Sequence, residues 1–158
     1  MFNKKIDKET YITFITENKE KLYRVAYGYL HDETKSLDAV DEAVYQGYAH
    51  RHELREPKYL KTWVTKILIN ECLKAIRNGK RELNMEFLPE DTQGSCEDSI
   101  HLKIAINSLP EDLRQLIILR YFGGYTISEA AEILGIPEGT VSTRSRKALE
   151  ILRVEVSE

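Results

Sequence analysis

The sequence predicts an all-α protein, built from two small helical domains joined by a flexible acidic linker. Three observations lead to this prediction. Apolar residues recur at spacings of three, four and seven, no segment shows convincing strand alternation, and ELNMEFLPEDTQGSCEDS, beginning at residue 82, has no sustained helical period. We expect a first domain at residues 1–82, a linker at 83–98 and a second domain at 99–158.

Three amphipathic helices account for the first domain. The first ends near His31, and its apolar face holds Tyr11, Phe14, Ile15, Leu22, Val25, Ala26 and Tyr29. The second runs from about residue 36 to 51 and is expected to bury Leu37, Val40, Val44 and Tyr48. Pro57 opens the third, which ends at Asn78-Gly79 and has the strongest stripe: Leu60, Trp63, Val64, Ile67, Leu68, Cys72, Ala75 and Ile76.

Helical periodicity returns near Ile100 and continues through a helix opened by Pro110, with the stripe Leu113, Leu116, Ile117, Arg120 and Tyr121. Two short helices follow. Thr126 and Glu129 form a T-x-x-E capping box that predicts a helix start at about Ile127, and Gly135 stops that helix. Their expected apolar faces are Ile127, Ala130, Ala131 and Leu134, then Val141, Ala148, Leu149 and Leu152.

Two short helices joined by a Gly-containing turn form a helix-turn-helix, a motif that reads DNA. The polar face of its second helix carries candidate DNA contacts, since Arg and Lys reach phosphates or guanine edges and Ser and Thr offer short hydroxyl contacts. These candidates are Thr140, Ser142, Thr143, Arg144, Arg146 and Lys147. The alternative is an ordinary αα-hairpin in a helical core. Ser145 fits poorly, because it falls where the apolar seam favours an aliphatic side chain.

Charge is distributed unevenly along the chain. The formal net charge is −3, but residues 55–81 hold 8 basic and 2 acidic residues (+6), and residues 82–112 hold 1 basic and 8 acidic residues (−7). In the basic block Lys66, Asn70, Lys74 and Arg77 form a ridge that suits a nucleic-acid backbone. Just before it, Tyr59 lies close to Lys61 in the sequence. Proteins that bind single-stranded nucleic acid use this combination, since a base stacks on the aromatic ring and the cation contacts phosphate. The alternatives are a solvated helical face for the ridge and a structural role for Tyr59.

Composition indicates a soluble globular protein, with 42% hydrophobic and 31% charged residues. No run approaches the ~20 apolar residues of a membrane span and no signal peptide is apparent, so we expect a cytoplasmic protein without membrane insertion. Cys72 and Cys96 lack metal-ligand spacing, and no carboxylate pattern joins His50 and His52. We expect no metal, no cofactor and no catalytic residues, hence no enzyme.

The order of four segments resembles a known family. SLDAVDEAVYQGY is followed by KTWVTKILINECLKAIRNGKR, then by the acidic linker, then by LPEDLRQLIILRYFGGYTISEAAEILGIPEGTVSTR. This arrangement resembles bacterial RNA polymerase sigma factors of the sigma-70 family. Specifically, it is similar to the short extracytoplasmic-function type, which keeps regions 2 and 4. The resemblance covers roughly residues 11–153.

The resemblance implies partners for individual residues. Asp38, Asp41 and Glu42 would bind the β′ clamp coiled coil of core RNA polymerase, and region 4 would meet the β flap. The segment with Tyr59 and Lys61, and the basic ridge, would melt promoter DNA and hold the −10 element, while the last helix would read the −35 element. Family members usually have Gln at position 41 and Leu at position 145. An anti-sigma factor, often membrane-anchored, would hold the protein inactive until envelope stress.

Two functions of other classes remain open at this point. One is a stand-alone helix-turn-helix regulator, which needs a dimer interface or an effector pocket. The other is an adaptor that binds polymerase or another protein through helical grooves and does not read DNA.

Overall fold

A computed structural model describes residues 6–85 and 97–157 of the chain, and the side chains of residues 6–79 and 101–153. In the first part, three long helices pack on one another: α1 (Lys8–Leu30), α2 (Glu33–Ala49) and α3 (Leu60–Met85). Asp7 and Asp32 cap α1 and α2 by accepting backbone N–H bonds. Two short 3₁₀ turns, Arg51–Glu53 and Pro57–Tyr59, connect α2 to α3.

The second part consists of four helices: α4 (Glu97–Ser108), α5 (Glu111–Ile117), α6 (Ile127–Leu134) and α7 (Glu138–Ser157). Helix α5 continues into a π-turn at Ile118–Phe122, and α4, α5 and α6 all pack against α7. All regular elements in these two described ranges are helical, which confirms the predicted class. None of the described helices has the length and apolar content needed to cross a bilayer.

Helix α3 is longer than its sequence pattern predicted, since it continues past Gly79 to Met85. Residues 83–85 of the predicted linker are therefore helical, and residues 97 and 98 begin α4. The rest of the predicted linker lies outside the described residues. The limits assigned to the two domains remain predictions.

Three apolar residues that were expected to be buried are exposed. Leu37 is 42% exposed because α2 packs through its small residues, Ser36, Ala39, Ala43 and Gly47 among them. Tyr121 is 54% exposed because the π-turn, with its i→i+5 bond from Gly123 to Ile118, shifts the helical register. Leu149 is 38% exposed because Val141, Ser145, Ala148 and Leu152 form the buried face of α7.

The two groups of helices share one apolar core. Val25 and Tyr29 of α1 belong to the same buried cluster as Ile118, Leu119 and Tyr125 of the second group. Contact between α1 and the π-turn, and between α3 and α6, forms the boundary between the groups. The domains are therefore packed together in this structure, an arrangement that periodicity within single helices did not predict.

Ser145 does face the apolar seam, since it is 7% exposed and its hydroxyl has no hydrogen-bond partner among the described residues. A buried polar group without a partner costs about 1–3 kcal/mol. We predict that Ser145→Ala raises the free energy of unfolding by about 1 kcal/mol. Urea denaturation followed by circular dichroism measures the change. Ser128→Ala, at an exposed position of α6, is the control and should have almost no effect. A loss of stability in Ser145→Ala would contradict this account.

Candidate nucleic-acid interface

The helix-turn-helix consists of α6, a three-residue turn and α7. Thr126 accepts a hydrogen bond from the Glu129 backbone N–H at 3.1 Å, and the Glu129 carboxylate accepts one from the Thr126 backbone N–H at 3.0 Å. This is the predicted capping box. Gly135 ends α6 in the left-handed region at φ 68°, which a glycine adopts without steric cost. The local geometry of the motif is thus set by its own sequence.

The predicted DNA contacts of the second helix lie on the side of α7 away from its buried seam. Thr143, Arg146 and Lys147 are exposed, while Thr140 and Ser142 are half-buried. Arg144 is also half-buried, and its guanidinium lies 4.0 Å from the Asp112 carboxylate. This pair is loose and partly solvated, so we expect it to exchange readily for a phosphate. The face combines three cations with three hydroxyls and suits a DNA groove.

The basic ridge forms as predicted on α3. Lys66, Asn70, Lys74 and Arg77 are all exposed and succeed one another along the helix at spacings of three or four. The apolar stripe, with Val64, Leu68 and Cys72 fully buried, occupies a different face of α3. Trp63 is half-buried against the core, so it acts as a packing residue in this structure.

Tyr59 and Lys61 differ from each other in their surroundings. Tyr59 is 44% exposed, and the Lys58 ammonium lies 5.1 Å from its ring centroid, so the ring is open to a stacking base. Lys61 instead forms an ion pair with Glu129 of α6, and its side chain is only 37% exposed. In this arrangement the Lys61 ammonium is paired with a carboxylate of the other helical group.

Glu129 therefore serves two structural purposes at once. One carboxylate oxygen caps α6 and the other accepts from Lys61 of α3. Burial of Glu129 opposes its ionisation, but the Lys61 ammonium and the Thr126 N–H outweigh burial and lower the pKa of the Glu129 carboxyl to about 2. The carboxylate is ionised at neutral pH and holds both contacts.

The predicted polymerase-binding acids lie together on α2. Asp38, Asp41 and Glu42 are exposed and within one helical turn of one another. The Gln46 amide donates to Glu42 at 3.0 Å and to Glu71 of α3 at 2.9 Å. Glu42 is thus held beside α3, in a cleft of about 280 Å³ that Lys35 and Lys74 also line. The acidic face and the basic ridge meet at this cleft.

Several residues that define the boundary between the helical groups were missed by sequence reasoning. Tyr29 of α1 donates to the Glu111 carboxylate of α5 at 3.2 Å, and the Arg114 guanidinium lies 5.5 Å from the Tyr29 ring. The Lys21 ammonium lies 5.0 Å from the ring of Tyr125. One signal for this boundary was present in the sequence. The capping box identified Glu129, but it did not identify Lys61 of α3 as the partner of Glu129.

Fold and surface define a helical DNA-binding protein with a helix-turn-helix and a separate basic helix. Residues 14–82 match the family model for sigma-70 region 2, and residues 105–154 match the model for sigma-70, region 4. The chain belongs to the sigma-70 family of RNA polymerase sigma factors. The order of the matched regions agrees with the order predicted from the sequence.

Individual relatives support the same assignment. The chain is 30% identical to the RNA polymerase sigma factor SigV of Bacillus subtilis, with 99% of this chain and 97% of the relative covered. It is 27% identical to the ECF RNA polymerase sigma factor SigW of the same organism, with 97% and 92% covered. The extracytoplasmic-function type expected from the sequence is therefore confirmed.

Two solved structures share the fold. The sigma factor RpoE from Bartonella quintana, in complex with the anti-sigma factor NepR, has a TM-score of 0.68 at 24% identity, covering 94% of this chain and 98% of that one. CnrH, in complex with the cytosolic domain of CnrY, has a TM-score of 0.70 at 17% identity, covering 96% and 90%. At these identities the likeness establishes the fold of the chain.

The ion pair of Lys61 with Glu129 predicts a pH dependence of stability. The folded pKa of Glu129 lies below its ordinary value of 4.5, so the contribution of the pair is fully present above pH 4.5 and is lost as pH falls toward about 2. We predict that wild type is more stable than Lys61→Met at neutral pH and that this difference shrinks over that acidic range. Urea denaturation across pH measures it.

Lys58→Met is the matched control, because Lys58 lies 3.3 Å from Glu56 in a pair whose side chains are 68% and 56% exposed. It should change stability little at any pH. A stability difference for Lys61→Met that stays constant from neutral pH down to acid would contradict the proposed role of the ion pair.

Proposed function

We propose that the protein is an alternative sigma factor that binds core RNA polymerase, recognises −35 and −10 promoter elements and promotes DNA melting at the start of transcription. The observation that carries this proposal is the presence, in order, of region 2 with its basic ridge and region 4 with its helix-turn-helix. The polymerase performs the chemistry, and this chain contributes sequence recognition. We propose that it is not an enzyme and that it acts in the cytoplasm.

The residues divide among three tasks in this proposal. Asp38, Asp41 and Glu42 present negative charge to the β′ clamp coiled coil, and region 4 meets the β flap. The second group, on α3 and just before it, contacts the −10 region: Tyr59, Lys61, Lys66, Asn70, Lys74 and Arg77. The third, on α7, contacts the −35 element: Thr140, Ser142, Thr143, Arg144, Arg146 and Lys147.

We also propose that a membrane-anchored anti-sigma factor holds this protein inactive and that envelope stress releases the protein from it. Support comes from the structurally similar sigma factor RpoE, which is in complex with the anti-sigma factor NepR, and from CnrH, which is in complex with the cytosolic domain of CnrY. The stand-alone regulator and the polymerase adaptor are less consistent with the molecule. Either would need only one of the two matched regions, whereas both are present here.

We predict that the protein, added to core RNA polymerase and a library of genomic promoters, starts transcription at a defined set of sites. Sequencing of transcript 5′ ends identifies these sites, and the aligned upstream DNA should contain two conserved blocks. Core polymerase alone is the control. Absence of specific starts, with a protein shown to be folded by circular dichroism, would rule out the sigma function.

Mutations can distinguish recognition of the −35 element by α7 from melting of the −10 region by the α3 residues. Arg144→Ala should weaken binding to the −35 element by about 1–3 kcal/mol, because it removes a charged contact in the groove. Asn70→Ala or Tyr59→Ala should leave −35 binding intact and reduce melting of the −10 region, which permanganate footprinting detects. Normal melting by both α3-region variants would place Asn70 and Tyr59 outside the DNA interface.

A further inference from the structure

One arginine on the polar face of α7 has a carboxylate beside it. The Nε of Arg144 lies 4.0 Å from Oδ2 of Asp112, and the two side chains are 39% and 53% exposed. Asp112 lies in the first turn of α5, a helix that packs directly against α7. Among the described residues, Arg146 and Lys147 form no ion pair, although both are exposed. Arg144 therefore meets DNA under different conditions from these two neighbouring cations.

The position of Asp112 determines which part of the Arg144 guanidinium stays available. An arginine has five N–H donors on a rigid planar group, with one donor on Nε and the other four on the two terminal nitrogens. Asp112 lies on the Nε side of this group. Attraction to that side orients the plane and leaves the two terminal nitrogens free. Those nitrogens form a fork that can bind the O6 and N7 atoms of guanine together.

Asp112 also affects the two kinds of DNA contact that Arg144 can make, and it affects them differently. A backbone phosphate is negatively charged, so its approach to Arg144 brings it close to the Asp112 carboxylate, which repels it. Because the pair is loose, a phosphate can displace Asp112, but Arg144 then only exchanges one anion for another. Guanine O6 and N7 are uncharged acceptors and do not need to displace the carboxylate. Asp112 therefore weakens phosphate contacts of Arg144 more than it weakens base contacts.

We propose that Asp112 is a positioning residue that determines sequence specificity, because it orients the Arg144 guanidinium for a guanine edge and opposes capture of that group by phosphates. The inference rests on the proposed function, in which α7 reads the −35 element. The other acid of α5, Glu111, is engaged elsewhere, since its carboxylate pairs with Arg114 and accepts a hydrogen bond from Tyr29.

Promoter selection tests the proposal. Core RNA polymerase with wild type, Arg144→Ala or Asp112→Asn transcribes a library in which the −35 block is randomised and linked to a barcode in the transcript. The −10 block is constant and is taken from a promoter that wild type uses. We expect a position at which wild type prefers guanine and Arg144→Ala does not. This preference should fall roughly three- to tenfold in Asp112→Asn, as a part of the discrimination that a bidentate contact provides.

Two further variants are the controls for this selection. Asp112→Glu keeps a carboxylate at the same position and should retain most of the guanine preference. Glu138→Gln removes one negative charge from an exposed position in the first turn of α7, six residues before Arg144. It should leave all base preferences unchanged. A loss of preference in Glu138→Gln equal to that in Asp112→Asn would show that net charge, and not the pair with Arg144, determines specificity.

A binding experiment tests the pair without transcription. Fluorescence anisotropy measures the Kd of the free full-length protein for random-sequence duplex DNA. Asp112→Asn should bind roughly three- to tenfold tighter than wild type, because Arg144 becomes available to phosphates. This gain should be much smaller in an Arg144→Ala background, which has no guanidinium to release. Equal gains in both backgrounds would overturn the proposal, since Asp112 would then act only as a charge that repels DNA.

The outcomes separate this inference from the proposed function. Specific transcription with an unchanged guanine preference in Asp112→Asn, or with no guanine preference that depends on Arg144, overturns the role of Asp112 and leaves the sigma function standing. Lower overall transcription with unchanged base preferences would mean that the pair is only structural, and it overturns the proposal too. If wild type gives no specific transcript, the proposed function fails, and the binding experiment still decides whether Asp112 controls Arg144. If circular dichroism shows that Asp112→Asn does not fold, Asp112→Ser takes its place in both experiments.

Discussion

The close approach of α1 to the π-turn is the contact on which the arrangement of the whole molecule depends. Region 4 is small, and a helical unit of that size buries too little apolar surface to be more than marginally stable by itself. Part of its apolar surface, including Ile118, Leu119 and Tyr125, is buried in a cluster shared with α1 and α3. Gly28 permits this contact, because close-packed interiors leave no room for an additional side chain. If the domains separate, another surface must therefore bury these apolar side chains, and a protein partner of region 4 would do so.

Glu129 links local structure to this larger arrangement. Its carboxylate caps the start of α6 by accepting a hydrogen bond from the Thr126 N–H, and it forms an ion pair with Lys61 of α3. The same ionised group thus defines the first helix of the DNA-reading motif and joins that motif to region 2. When the domains separate, the cap can persist because it is local, while the ion pair is lost. Loss of the ion pair would therefore free the Lys61 ammonium without dismantling the helix-turn-helix.

Much of the fold was predictable because its signals are local. The capping box at Thr126, the left-handed Gly135 and the stripe of α3 each depend on residues within a few turns of one another, and each appears as predicted. The exposed Leu37 was not predicted, because periodicity identifies an apolar stripe but not which small residues will face a neighbouring helix. The contacts of Lys61 with Glu129 and of Tyr29 with Glu111 join residues 68 and 82 positions apart, which no local pattern encodes. In the candidate site, the sequence correctly predicted that the ridge on α3 is exposed, but it did not predict the ion pair of Lys61 with Glu129.

Two features of the chain respond differently to salt, the acidic charge of residues 82–112 and the apolar contact at Gly28. The acidic charge of −7 in residues 82–112 repels phosphates over a Debye length of roughly 8–10 Å, so added salt reduces this repulsion. The apolar contact at Gly28 does not depend on charge, and salt leaves it in place. Packing between the two groups therefore persists at physiological ionic strength, where charge repulsion is largely screened. The apolar contact and the acidic segment therefore act over different ranges of ionic strength, since packing between α1 and the π-turn is insensitive to salt and repulsion by the acidic segment is strongest at low salt.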